Sequence, residues 1–124
     1  MIHHPTADIF LDAEGHIRFN FRKEANITQE HAYEYIDIIE KLCEGEKRTF
    51  ILDTRGTKAK VSQENRWVMG NDQRALKWRK ADALLVDSLH IRMIANFYMK
   101  FDTPTLPVKL FGTEEEAKEW LKQF

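Results

Sequence analysis

The sequence predicts an α/β fold in which a largely parallel sheet is covered by helices and carries an antiparallel hairpin at its N-terminal edge. Three observations lead there. In HIRFNFRK, Ile17, Phe19 and Phe21 alternate with Arg18, Asn20 and Arg22, the period-2 pattern of a half-buried strand. Thr49 to Leu52 and Ala83 to Val86 are continuous apolar runs, each closed by an Asp, as expected of strands covered on both faces. Each run leads into a segment of helical periodicity opened by a residue suited to capping.

In chain order, a first strand around Asp8–Asp12 is separated from the HIRFNFRK strand by Ala13-Glu14-Gly15. Thr28 is a fitting N-cap for a helix whose Ala32, Tyr35, Ile36, Ile39, Leu42 and Cys43 lie on one stripe, and Gly45 ends it. After the strand that ends at Asp53 and a basic loop, Ser62 opens a helix carrying Trp67, Ala75 and Trp78. Ser88 caps a third helix with Ile91, Ile94, Ala95, Tyr98 and Phe101 inside, stopped by Thr103-Pro104. Leu106 to Phe111 is the last strand, and Thr113 with Glu116 forms a capping box before Ala117, Trp120, Leu121 and Phe124. The expected order is β-β-α-β-α-β-α-β-α, with right-handed crossovers.

The 124 residues suffice for one core, so residues 1–124 are expected to form a single domain. The N-terminal residues show neither a basic start nor an apolar run, and no stretch reaches the length of a membrane span, which points to the cytoplasm. Cys43, the lone cysteine, sits among apolar neighbours and reads as a small buried hydrophobe. The net charge of −1 hides an asymmetry. Residues 1–46 carry four basic and ten acidic groups, residues 47–81 ten and three, and residues 82–124 five and seven. That basic island suits an acidic protein partner or a phosphate, with Arg55, Lys58, Lys60 and Arg66 as its candidate anion-binding residues. A solvated surface balanced by the acidic first helix is the simpler account, because these residues are spread over a strand end, a loop and more than one helix face. Nucleic acid is disfavoured, because the island lacks interleaved aromatic residues and no DNA-reading motif is present.

The strand FILDTRG followed by a helix, the strand ALLVDS followed at once by another, the ending VKLFGTEEEAKEWL and the order of elements resemble the SpoIIAA-like, or STAS, domains. The ending is most similar to a branch of uncharacterised bacterial proteins grouped with STAS and SEC14-type domains. The resemblance implies a non-enzymatic regulatory module that binds a kinase-like protein and is switched by phosphorylation at the start of the helix after FILD. Counting nine residues on from Asp53 lands on Ser62. Here Val61 replaces the Asp that usually precedes the serine, and Gln63-Glu64 replace the small residues that usually follow. A phosphate there would be favoured by the helix N-terminus and by Lys58, Lys60 and Arg66. A plain N-cap accounts for the same serine.

Asp53, Thr54, Asp87 and Ser88 fall where parallel strands end, the usual ligand crevice of open α/β sheets, although capping explains them too. Asp87, Ser88 and His90 are too close in sequence to converge as a triad, and no nucleophile elbow exists, so no catalytic residue is assigned. His3, His4, His16, His31 and His90 include no i, i+4 helical pair and have no cysteine partners, so neither metal nor other cofactor is expected. Trp67, Trp78, Met69, Met93, Phe97, Tyr98 and Met99 give the middle helices more apolar bulk than one buried stripe each absorbs. Any exposed excess would suit a homodimer face or a groove for a small apolar, lipid-like ligand.

Overall fold

The computed structural model describes residues 1–87 and 106–124. Its elements are β1 (Ile2–His4), β2 (Ala7–Leu11), β3 (His16–Phe21), β4 (Asn26–Ile27), α1 (Gln29–Cys43), β5 (Arg48–Asp53), β6 (Lys60–Val61), α2 (Gln63–Asn71), α3 (Gln73–Leu76), β7 (Arg79–Leu85), β8 (Val108–Phe111) and α4 (Glu114–Leu121). Six strands form one sheet in the order β1-β2-β3-β5-β7-β8. The pairs β1·β2 and β2·β3 are antiparallel, and β3·β5, β5·β7 and β7·β8 are parallel. This is the predicted mostly parallel sheet with an antiparallel N-terminal edge.

The hairpin turns where the chain can reverse. Asp12 Oδ1 accepts the backbone N–H groups of Glu14 and His16, each at 2.9 Å, and Gly15 takes the left-handed conformation at φ 90°. Period-2 alternation then sorts β5 between two cores. Phe50 packs with Phe19, Tyr35 and Ile39 beneath α1, whereas Ile51 packs with Ala81, Ala83 and Leu85 beneath Ala117 and Leu121 of α4. Helices α1, α2 and α3 pack together around Ala32, Ile36, Val68 and Ala75. Cys43 is buried at the end of α1, and that burial pushes its thiol up to about 11.

Several elements differ from the sequence expectation. The sheet begins one strand earlier, with β1 at its edge. Residues 26–27 and 60–61 form a separate two-stranded parallel ladder that joins the approach to α1 with the approach to α2. The second predicted helix is broken at Asp72, whose carboxylate accepts the N–H groups of Arg74 and Ala75 at 2.8 and 3.2 Å and starts α3. Trp67, one of the apolar residues in excess of a single buried stripe, is 65% exposed, because Val68 occupies the position facing α1. Trp78 follows α3 rather than belonging to a helix. Strand β7 begins at Arg79 and β8 at Val108. The helix expected from Ser88, with Ile91, Ile94, Ala95, Tyr98 and Phe101, and its stop at Thr103-Pro104, lie outside the described residues, as do Met93, Phe97 and Met99.

A bulge opens β7. Arg48 pairs with Arg79 but Thr49 with Ala81, so Lys80 is the extra residue and Arg79 faces the same side as Asp82. Both side chains are buried and joined by an ion pair, and Arg79 also donates to the carbonyls of Met69 and Ala75. Among the described residues no helix is long and apolar enough to cross a membrane.

Candidate functional site

Three of the four strand-end residues, Asp53, Thr54 and Asp87, hold the loop after β5 against the neighbouring strand end. Asp53 accepts from Arg55 at three points, the backbone N–H and Nε at 3.0 Å on Oδ1 and Nη2 at 2.8 Å on Oδ2, and Arg18 lies 3.9 Å away. Thr54 donates its hydroxyl to Leu85 O at 2.8 Å, and Asp87 accepts the N–H of Gly56 at 2.7 Å. Arg18, which the sequence reading passed over, is 9% exposed and binds Glu114 of α4 at 2.5 Å. These groups tie the β5–β6 loop and α4 to the sheet edge. Ser88 lies outside the described residues.

Burial resists ionisation of Asp53, but the Arg55 hydrogen bonds and the charges of Arg55 and Arg18 outweigh it and hold the carboxyl below its ordinary value. A depressed carboxyl contributes stability that is full above its unfolded pKa and is lost as pH falls through the folded one. Asp53→Asn is therefore expected to lower stability at pH 7 and to flatten its dependence on acid below about pH 4. Urea unfolding of both proteins at pH 7 and pH 3 checks this; parallel losses with acid would sink it.

Ser62 is the N-cap of α2: its Oγ accepts the N–H of Asn65 at 3.0 Å and its own N–H donates to Ile27 O at 2.9 Å. Of the four candidate anion-binding residues, Arg55 is drawn onto Asp53 and Arg66 donates to Val61 O at 2.9 Å. Lys58, on the β5–β6 loop, and Lys60, the first residue of β6, are exposed. Elsewhere in the basic island, Arg74 pairs with Asp37 at 3.0 Å and with Glu40, so part of the charge asymmetry is consumed between α3 and the acidic α1.

An apolar cavity of about 240 Å³ lies on the α1 side of the sheet. Phe21, Phe50, Leu52, Met69, Leu84 and Val108 line it, and the buried Arg79–Asp82 pair stands in its wall. Phe50 stacks on Phe19 with centroids 6.5 Å apart and lies under the Arg79 guanidinium at 5.9 Å.

A cluster that sequence reasoning missed joins β1 to α1. His4 Nδ1 accepts the backbone N–H of Thr6 at 3.0 Å, which leaves the ring proton on Nε2, where it donates to Glu34 Oε1 at 2.6 Å. Thr6 Oγ1 lies 2.7 Å from His4 Nδ1 and also hydrogen-bonds the Tyr35 hydroxyl, whose pKa burial pushes up to about 12 against the effect of that bond. His31 takes the place a Glu or Gln usually has in a capping box: its Nδ1 accepts the N–H of Thr28 at 3.0 Å. The His4 and His31 rings meet edge to face, 5.2 Å between centroids. The order Glu34–His4–Thr6 imitates an acid–imidazole–hydroxyl relay, but Thr6 is only 4% exposed and its hydroxyl is tied to Tyr35, so a substrate has no approach to it. One ligand atom each from His4, His31 and Glu34 lies within 4.8 Å of the other two, a set that could hold a metal ion. The helical signal was the i, i+3 spacing of His31 and Glu34; the missing part was β1.

The sequence matches the model of a family described as Domain of unknown function (DUF7793) over residues 9–124. No curated protein sequence matches it. Among solved structures it is similar to an uncharacterised protein of the DUF3478 family with a SpoIIAA-like fold from Shewanella loihica PV-4, at TM-score 0.59, 14% identity and 98% coverage of both chains. It also aligns with a protein of unknown function from Arthrobacter sp. FB24 at 27% identity and TM-score 0.37, over 100% of this chain and 98% of that one. The first of these likenesses supports a SpoIIAA-like fold.

Proposed function

The chain belongs to the DUF7793 family, and from that premise and its SpoIIAA-like fold we propose that it is a cytoplasmic, non-enzymatic interaction module that docks a protein partner through α2. The observation that carries this reading is Trp67, a large aromatic held 65% exposed on a helix whose buried positions are Asn65 and Val68. Exposed tryptophans on rigid elements are the residues that most often anchor protein interfaces. Val61, 38% exposed, adds apolar surface just before the helix, and Lys58 and Lys60 favour an acidic partner. Ser62 caps the same helix, so a phosphate there would add negative charge at the docking face and act as the switch.

Trp67→Ala leaves the core intact and is expected to reduce recovery of a stoichiometric partner at least tenfold, roughly the effect of one hot-spot aromatic. Affinity purification from the source cells, quantified for wild type, Trp67→Ala and Ser62→Glu, makes the comparison. Equal recovery with all three proteins would discard the α2 surface.

A second reading, a carrier for a small apolar ligand, is favoured by the 240 Å³ apolar cavity. Native mass spectrometry of the purified chain separates the two readings. A non-covalent adduct lost on denaturation supports the carrier, and a covalent phosphate mapping to Ser62 supports the switch.

A further inference from the structure

We propose that His4, His31 and Glu34 form a binding site for a borderline divalent transition-metal ion such as zinc, clasping β1 to the first turns of α1. Two imidazoles and one carboxylate are the donor set such ions prefer, with a position left open. The three residues come from two elements that backbone hydrogen bonding does not otherwise join: His4 from the edge strand, His31 and Glu34 one helical turn apart. Their ligand atoms already lie within 4.8 Å of one another, against the roughly 3.3 Å between donors that bonds of about 2.0–2.1 Å to a tetrahedral ion require.

The graded exposure of the cluster suits an ion arriving from solvent. His4 is buried, His31 half-buried and Glu34 exposed, so the carboxylate side is open while the inner imidazole is fixed by its surroundings. The proton on His4 Nε2 bridges to Glu34 at 2.6 Å, at the place where an ion would bind. Ligation by Nε2 requires that proton to leave and Nδ1 to carry one instead, so each ring stays neutral. Both rings have a threonine hydroxyl at hand to accept from the relocated Nδ1–H: Thr6 Oγ1 at 2.7 Å from His4 and Thr28 Oγ1 at 3.4 Å from His31. Binding exchanges the two bonds from backbone N–H to Nδ1 for two metal bonds.

The test uses the full chain without an affinity tag and zinc chloride as the probe. Calorimetry is expected to give one ion per chain, and Tm is expected to rise by roughly 10 °C at a hundredfold excess over Kd. Glu34→Gln and His31→Gln should each weaken binding at least tenfold; both positions tolerate the change, since Glu34 faces solvent and glutamine is a usual partner in a capping box. Long-range proton–nitrogen NMR should show both imidazoles moving from the Nε2–H to the Nδ1–H tautomer as zinc is added. His3→Gln, which removes the exposed neighbour paired with Asp8, should leave binding unchanged. No rise in Tm, a rise that survives both Glu34→Gln and His31→Gln, or one abolished by His3→Gln would each overturn the assignment.

Discussion

Asp82→Ala is expected to destabilise the protein by about 3–5 kcal/mol, close to half the stability of an ordinary small domain. The reason lies in what remains. The Arg79 and Asp82 side chains are 6% and 4% exposed, and removing the carboxylate leaves a buried guanidinium that, among the described residues, has no counter-charge and is held by the Met69 and Ala75 carbonyls and the Phe50 ring alone. The pair as a whole is another matter, because taking both charges out of water opposes folding about as strongly as their attraction favours it. Arg79→Met combined with Asp82→Leu should therefore recover most of the loss. Urea midpoints of the wild type, Asp82→Ala and the double variant decide this. A double variant as unstable as the single one would mean that the ion pair stabilises the fold outright.

Phe50→Ala comes next, with an expected loss of about 3–5 kcal/mol. Phe50 is 1% exposed, stacks on Phe19 and lies under the Arg79 guanidinium, so its removal deletes core contacts and a cation–π partner together. The deleted ring adjoins the existing 240 Å³ cavity, so the void should enlarge rather than collapse. Denaturant unfolding measures the loss. An apolar dye that binds Phe50→Ala more tightly than wild type, while the variant still unfolds cooperatively, would show that the two volumes have merged. A loss under about 1 kcal/mol would mean that the neighbours close in.

Periodicity made much of this fold legible. The alternation in β3, the stripe on α1 and the apolar runs of β5 and β7 are signals repeated over many residues, and they placed the hairpin, the parallel sheet and both cores. What escaped was short, or was decided at a distance. β1 spans three residues and the β4·β6 ladder pairs two with two, too few for any pattern. Hydrophobicity showed an excess of apolar residues on α2 but not which of them face inward, because the phase of the helix is set by the contact of Val68 with α1, which no local window contains. Arg79 and Asp82 stand three apart in a strand and should face opposite ways; the bulge at Lys80 brings them together. The strand-end residues Asp53, Thr54 and Asp87 were found because topology places them there. The cluster of His4, His31 and Glu34 was not, because its members meet only once β1 has docked.

The short ladder of β4 and β6 also determines what can move. Besides its strand pairing, Lys60 N donates to Ala25 O at 2.8 Å, Ser62 N to Ile27 O at 2.9 Å and the Asn65 side chain to Thr28 O at 2.8 Å. The first turns of α1 and α2 are thereby bolted into one unit, with Ser62 on one side of the bolt and His31 on the other. Any displacement of one helix start is transmitted to the other. The expected consequence is that a group added at Ser62 which shifts this unit changes the affinity of the site at His31.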